Sequence, residues 1–295
     1  MALNPPSSRR PVWQRTVLWC FHHKSLVFGA AIVGTLVLAA LLAPLLAPYS
    51  PFSQDLDGRL VPPWFLGGSR AHILGTDPLG RDYLTRLMYG ARASLSVAGG
   101  TVLISSIVGI SLGLLGGFYG GRTDLVVMYL ITVRLSLPSV LVALSVVGLI
   151  GSSLLIIMVV LACLLWDQFA IVTRSLVMQL RDREFVLAAR SAGCSNFRIL
   201  FADILPCLMA PLIAVATLEM AHAIMLEAAL SFLGLGIRPP MASWGLMIAE
   251  AREFVFFEPW LVNVPGFSLL ILVLGINLLG EGLSGVLRGQ TRSPG

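Results

Sequence analysis

One lysine, four histidines and four cysteines among 295 residues leave little material for the commonest catalytic and metal-binding devices. Lys24 stands outside any GxxxxGK[ST] pattern, so the chain has no loop whose lysine reaches nucleotide phosphates and does not hydrolyse ATP that way. His22, His23, His72 and His222 form no HExxH pair, and the spacing of Cys20, Cys163, Cys194 and Cys207 offers no metal cluster. Charge is scarce too: 12% of residues are Asp, Glu, Lys or Arg against 57% hydrophobic, with a mean hydropathy of +0.88. A soluble domain carries about 25% charged residues, so that class is excluded and a polytopic membrane protein is implied.

What is present in quantity is long apolar sequence. Six runs, near 26–46, 95–118, 125–150, 154–172, 207–230 and 267–287, approach the roughly 20 residues that cross a bilayer core. With no water to satisfy stray amides, each is expected to be helical. Placing the N-terminus in the cytoplasm puts 12 Arg and Lys residues on that side against 7 outside, with Arg134 inside a span. That bias sets both termini inside, and it explains the net charge of +5 without a nucleic-acid partner. The expected organisation is a basic tail over 1–24, a first transmembrane helix over 25–48, and an external loop with an interfacial helix over 49–92. A five-helix core over 93–287 follows, with a cytoplasmic loop at 173–206 and an external loop at 233–265, then a tail over 288–295. The first run exceeds the 7–15 residues of a signal-peptide core and lacks a clear cleavage site. Cys20 and Cys194 would face the cytoplasm and Cys163 and Cys207 would lie in or beside spans, so no disulfide framework is expected.

The polar stretch DREFVLAARSAGCSNFRILFADILP, 182–206, is built to stay in water. Asp182 and Glu184 suit a helix N-terminus and Arg190 its C-terminus. Gly193 can take the left-handed conformation that ends a helix, and Ser195 or Asn196 can cap the next one, which carries Phe197, Ile199, Leu200 and Phe201. Ala188 and Ala189 leave a smooth face suited to a partner's cleft.

In GTDPLGRDYLTRLMYGARASL, Asp77 is the expected cap, with Pro78 in the first turn. Leu79, Tyr83, Leu84, Leu87, Met88 and Ala91 recur at helical spacing, with Arg81, Asp82, Thr85, Arg86 and Arg92 mostly opposite, and Asp82–Arg86 is an i,i+4 pair. The pattern predicts an amphipathic helix at the outer interface; the plainer reading is a polar extension of the second span. Gly109, Gly113, Gly117 and Gly121 form a small-residue row for close helix packing. Gly109–Gly113 also matches GxSxG around Ser111, but the nucleophile elbow needs a strand–turn–helix, and Ser111 lies mid-helix. The 233–264 region should form a cap with a short helix around 244–253.

Arg134, Asp167, Glu219, His222, Glu227 and Glu281 lie in or beside spans, where ionisable groups face a partner or an aqueous path. Glu219 and His222 share a helix face and are expected, with Arg134, to line a translocation path; a buried pair satisfied within the bundle is the plainer alternative. Asp167 is expected to pair with Arg174, and Glu227 and Glu281 to be structural.

Three stretches, GTDPLGRDYLTRLMYGARASL, AARSAGCSNFRILFADILP and SFLGLGIRPPMASWGLMIAEAR, together resemble the permease subunits of bacterial ABC importers in the dipeptide/oligopeptide/nickel group, specifically the second permease. The resemblance runs from about residue 26 to 288. It implies an all-α integral membrane protein with six transmembrane helices in the type I ABC importer (MetI-like) fold. It also implies a heterodimer with a second permease, two cytoplasmic ATPases that bind ATP and magnesium, an extracytoplasmic binding protein, and no cofactor in this chain. The substrates implied are di- or oligopeptides, nickel chelates or glutathione-like solutes. Carried over residue by residue, the ATPase-coupling positions are Glu184, Ala188, Ala189, Gly193, Leu205 and Pro206, with Arg190 beside them. The family's Glu-Ala-Ala triad reads Leu187-Ala188-Ala189 here, Asp203 takes a place often apolar, and Tyr129 and Thr132 stand where relatives carry Arg and Asp. The rival of another class is an ion-driven carrier using Glu219, His222 and Asp167 as a relay, which predicts inverted repeats and interrupted helices. Neither is visible in the sequence.

Overall fold

The computed structural model describes residues 24–290. The expected basic tail up to residue 23, with Cys20, His22 and His23, and residues 291–295 of the C-terminal tail lie outside the described residues. Among the described residues the fold is helical, with one isolated bridge between Thr76 and Asp82. α1 (Lys24–Leu41) crosses once and stops one residue before the single turn of α2 (Ala43–Leu46), which holds Pro44 near its start.

α3 (Tyr83–Tyr119) begins later than the sequence suggests. Asp82 is its cap, accepting from the Thr85 amide at 2.8 Å. The expected cap Asp77 instead closes a turn, taking the Leu79 and Arg81 amides at 2.8 and 2.9 Å ahead of Gly80 at φ +71°. No break separates the polar stretch from the span, so the separate interfacial helix is not found. Arg81, Asp82, Thr85 and Arg86 are buried. The Asp82–Arg86 pair does not form either: Asp82 meets His72 Nδ1 at 2.9 Å, and Arg86 turns to Asp77 and Glu250. Periodicity shows which face is polar; it cannot say whether water or a distant carboxylate covers it.

The third crossing is broken. α4 (Gly121–Leu135) and α5 (Ser139–Ile150) meet at 83°, where a straight run over 125–150 was expected. Pro138 caps α5 and disfavours helical conformation at Leu137. The fourth crossing is interrupted as well, α6 (Leu154–Leu164) handing over to α7 (Asp167–Leu180) across Leu165 and Trp166. α7 continues beyond the expected end at 172. The interruptions absent from the sequence reading are therefore present in the structure.

α8 (Glu184–Ser191) and a short turn lead to α9 (Asn196–Arg198), which widens to π pitch over Ile199–Ile204 and continues as α10 (Leu205–Phe232). Pro206 has no N–H for the Ala202 carbonyl, and the Leu205 amide reaches back to Leu200. The short cap helix falls where expected, as α11 (Trp244–Ala251). α12 (Trp260–Gln290) starts seven residues before the expected 267 and takes in Pro265. The Leu261 carbonyl that Pro265 cannot serve accepts the Tyr83 hydroxyl.

Among the described residues five helices are long and apolar enough to cross a membrane, six crossings if α4–α5 count as one. One end of the bundle gathers the start of α1, the ends of α3, α7 and α12, and the α8–α9 elbow. There Gly282 abuts Leu26, Ser284 donates to the Ala210 carbonyl at 3.3 Å, and Arg181 donates to that of Gly117 at 3.0 Å. α3 lies close on α7 through Gly109, Gly113 and Gly117. A methyl there would sit 2.2, 2.7 and 2.8 Å from the carbonyl oxygens of Trp166, Ala170 and Arg174. Gly121 is not part of this row: it opens α4 at φ +52° with nothing near it.

Candidate functional site

The elbow joins α7 to α10. Val186 is its buried anchor, in a cluster with Phe118, Val177, Ile199 and Ile204, while Ala189, Cys194 and Leu205 pack partly against it. Gly193 at φ +78° closes α8: its amide donates to the Arg190 carbonyl at 3.0 Å and that of Cys194 to Ala189 at 3.1 Å. This is the paired bonding of a left-handed helix terminus. Ser195, rather than Asn196, caps α9. Asp182 stays outside the helix, whose first residue is Glu184. The Arg190 guanidinium lies 4.9 Å over the Phe118 ring, tying the elbow to the end of α3. Glu184, Ala188 and Gly193 face outward, as does Pro206, whereas Ala189 and Leu205 are half-buried. Sequence reasoning named Leu187 only as a departure from the family's triad and Phe197 only as a residue of the second helix. They are 48% and 71% exposed and, with Phe197 stacked on Phe201 at 4.4 Å between ring centroids, give the elbow an apolar surface. The signal was their place on a loop rich in charge.

The second feature is a cavity of 720 Å³ where both helix interruptions meet α10. Arg134, Asp167, Glu219 and His222 line it, with Pro138, Ser139 and Gln168 from the breaks and Met225, Leu226 and Ala229 from α10. The sequence-derived trio Arg134, Glu219 and His222 thus comes together, joined by Asp167. Arg134 donates to the Leu164 carbonyl, left open by the α6–α7 break, through Nε at 2.6 Å and through Nη2, and Nη2 also reaches Ser139 Oγ at 3.1 Å. Asp167 Oδ1 is 3.9 Å from Arg134. The expected Asp167–Arg174 pair is absent, because seven residues on one helix are two turns, about 10 Å, apart. Arg174 instead holds Asp124 of α4 with Nη2 at 2.7 Å. Glu219 is 2% exposed; its Oε1 lies 3.3 Å from His222 Nδ1, and its Oε2 has no hydrogen-bond partner among the described residues. Irregular backbone and uncompensated charge at membrane depth belong against protein or beside water, and both line this cavity.

Residues 109–292 match the family described as the binding-protein-dependent transport system inner membrane component, and residues 12–63 match the N-terminal TM domain of oligopeptide transport permease C. The chain belongs to this transport permease family. It is a multi-pass component of the inner membrane. The di/tripeptide transport system permease protein DppC of Pseudomonas aeruginosa (strain UCBPP-PA14) is 42% identical over 279 residues, 94% of this chain and 91% of that protein. The dipeptide transport system permease protein DppC of Escherichia coli (strain K12) is 41% identical over 262 residues, 88% and 87% of the two chains. Among solved structures, the inward-facing MetNI methionine ABC transporter shares the fold: TM-score 0.56 at 16% identity, covering 70% of this chain and 97% of that one.

The permease has a third built feature, at the end opposite the elbow, which sequence reasoning missed. Asp77 accepts from Arg81 Nε at 2.6 Å and from Arg86. Both arginines also reach Glu250 Oε2 of α11, at 3.2 and 2.7 Å. Beside this network, fully buried Glu227 accepts from Ser231 at 2.8 Å and Ser243 at 2.9 Å, and Trp244 Nε1 donates to the Leu87 carbonyl at 2.8 Å over Gly90. The first and third family-like stretches thus fold into one lock between the α3 entrance and the cap. Of the two acids expected to be structural, Glu227 is buried among these serines and Glu281 is exposed.

Proposed function

We propose that this permease is one transmembrane half of an importer that moves di- or oligopeptides inward, driven by partner ATPases. The observation that carries the reading is the elbow: an exposed, small-faced helix ended by left-handed Gly193, bonded to the ends of α3 and α7 and continuous with α10. The peptide substrate is supported by the names of relatives that match over nine-tenths of this chain. The elbow, both termini and the bulk of the arginines lie in the cytoplasm, in accord with the positive-inside bias.

In this reading Glu184, Ala188, Ala189, Gly193, Leu205 and Pro206 seat the elbow in an ATPase groove, with Leu187 and Phe197 as apolar anchors and Arg190 as an internal strut. ATP and magnesium are bound by two ATPase subunits, and this chain holds no cofactor. A second, homologous permease covers the open side of the bundle, and an extracytoplasmic binding protein delivers substrate. The helices flanking the elbow, α7 and α10, also carry Asp167 and Glu219, each about 20 Å from it along its helix. Closure of the ATPases therefore acts directly on the walls of the cavity, which we place on the translocation path. Movement between outward- and inward-open arrangements follows from the different contacts the elbow makes in the two nucleotide states.

The test is uptake of trialanine into proteoliposomes holding the assembled complex. ATP-dependent uptake that vanishes without the binding protein or the ATPases is the expected result. Uptake by this chain alone on a proton gradient would overturn it in favour of the ion-coupled carrier, a reading the helix interruptions favour.

A further inference from the structure

We infer that the cavity between α4, α7 and α10 receives the free amino terminus of the peptide in transit, with Glu219 as its counter-ion. This rests on the reading that the cavity lies on a peptide path. The charged groups that face it are Arg134 from α4, Asp167 from α7, and Glu219 and His222 from α10. Arg134 is the one permanent cation among the lining residues; it stands 3.9 Å from Asp167 and commits Nε and Nη2 to the Leu164 carbonyl. Two carboxyl groups therefore face one guanidinium, and of the two only Asp167 stands within 4 Å of it.

Glu219 is the carboxyl group left without that guanidinium. The residue lines the cavity and is 2% exposed; Oε1 is taken by His222, and Oε2 is buried without a hydrogen-bond partner among the described residues. A buried carboxyl oxygen in this state costs free energy until it is protonated or a cation with N–H or metal character reaches it. A hard metal ion needs a shell of several oxygens, and among the described residues no three or more His, Cys, Asp or Glu side chains are grouped to hold one; Leu137, Val140, Met225, Leu226 and Ala229 form the apolar part of the wall. A primary ammonium needs fewer acceptors and brings an apolar body to lie on those side chains. The volume of 720 Å³ falls within the range of small-ligand sites, roughly 300–1,000 Å³.

The experiment reads occupancy directly, without the binding protein. Met225, 61% exposed and on the cavity wall, is replaced (Met225→Cys) in an assembled transporter whose native cysteines are serine. Its maleimide labelling is followed against trialanine, N-acetyl-trialanine and sodium chloride. Trialanine should slow labelling, and the acetylated peptide should need about tenfold higher concentration, the worth of one charge-assisted bond. Glu219→Gln should erase the difference between the peptides and Glu219→Asp should keep part of it. The peptide comparison in the otherwise unchanged cavity stands even if a Glu219 variant does not assemble. Equal protection by both peptides overturns the ammonium assignment while the path reading survives, and so does protection by sodium chloride alone. No protection by either peptide, in complexes that still import trialanine, removes the cavity from the path and the inference with it. Failure to import any peptide sinks the substrate reading itself, and the inference falls with it.

Discussion

At Gly113 a methyl group would meet the Ala170 carbonyl oxygen at 2.7 Å and Thr173 Cβ at 2.6 Å. Backbone cannot rotate away as a flexible side chain can, so Gly113→Leu should cost at least the roughly 1–3 kcal/mol typical of overpacking. Gly99 has open space around the same position, and Gly99→Ala should be neutral or gain up to about 1 kcal/mol. Thermal aggregation midpoints of the detergent-solubilised permease check both; equal midpoints would contradict the close contact of α3 with α7. A second residue-scale effect belongs to Glu250. Arg81 and Arg86 are 4% and 1% exposed and share its carboxylate. Glu250→Ala should destabilise by about 3–5 kcal/mol, because it strands buried charge rather than removing a surface pair. The readout is the same melting experiment, with Glu253→Ala as the reference for a neighbouring acid outside the network. Matching losses from the two variants would count against the lock.

Among the elements, the elbow depends on one backbone conformation. Gly193 holds φ +78° with nothing around its Cβ position, so a substitution there is opposed by the chain's own sterics and not by neighbours. Gly193→Val should cost about 1–2 kcal/mol at the turn and swing α8 from its seat. ATP hydrolysis by the complex should persist while peptide uptake falls, since the spans stay folded. Ser195→Ala removes only the α9 cap, about 1 kcal/mol, and should leave a smaller defect. Uptake and hydrolysis falling in parallel for Gly193→Val would speak against the elbow as the coupling element.

For the molecule as a whole, the 83° bend between α4 and α5 makes room for the cavity. A straight helix would separate residues 125 and 149 by about 36 Å. Spin labels at Leu125 and Leu149, both strongly exposed, should read well below that distance, and Pro138→Ala should lengthen it as Leu137 is freed to become helical. A straight-helix distance in the unaltered protein would refute the bend and the shape of the cavity.

The elbow was legible in order and type because its determinants are local: Glu184 near a helix start, Gly193 at a turn, Ser195 at a cap. The membrane class and helical fold were legible too, since the solvent demands about 20 apolar residues per crossing whatever the tertiary arrangement. That Glu219 and His222 share a face follows from helical spacing alone. The partners of the remaining charges were not legible. Arg86 finds a carboxylate 164 residues away in Glu250, and Arg174 finds one 50 residues back in Asp124. No periodic signal connects such positions. Arg134 likewise lines one cavity with Glu219 only because Pro138 turns the chain and the Leu165–Trp166 step opens a carbonyl to hold its guanidinium. Local chemistry determined which segments enter the membrane and where they turn; long-range packing in a medium without water decided which charges meet, because there each must find its partner within the protein.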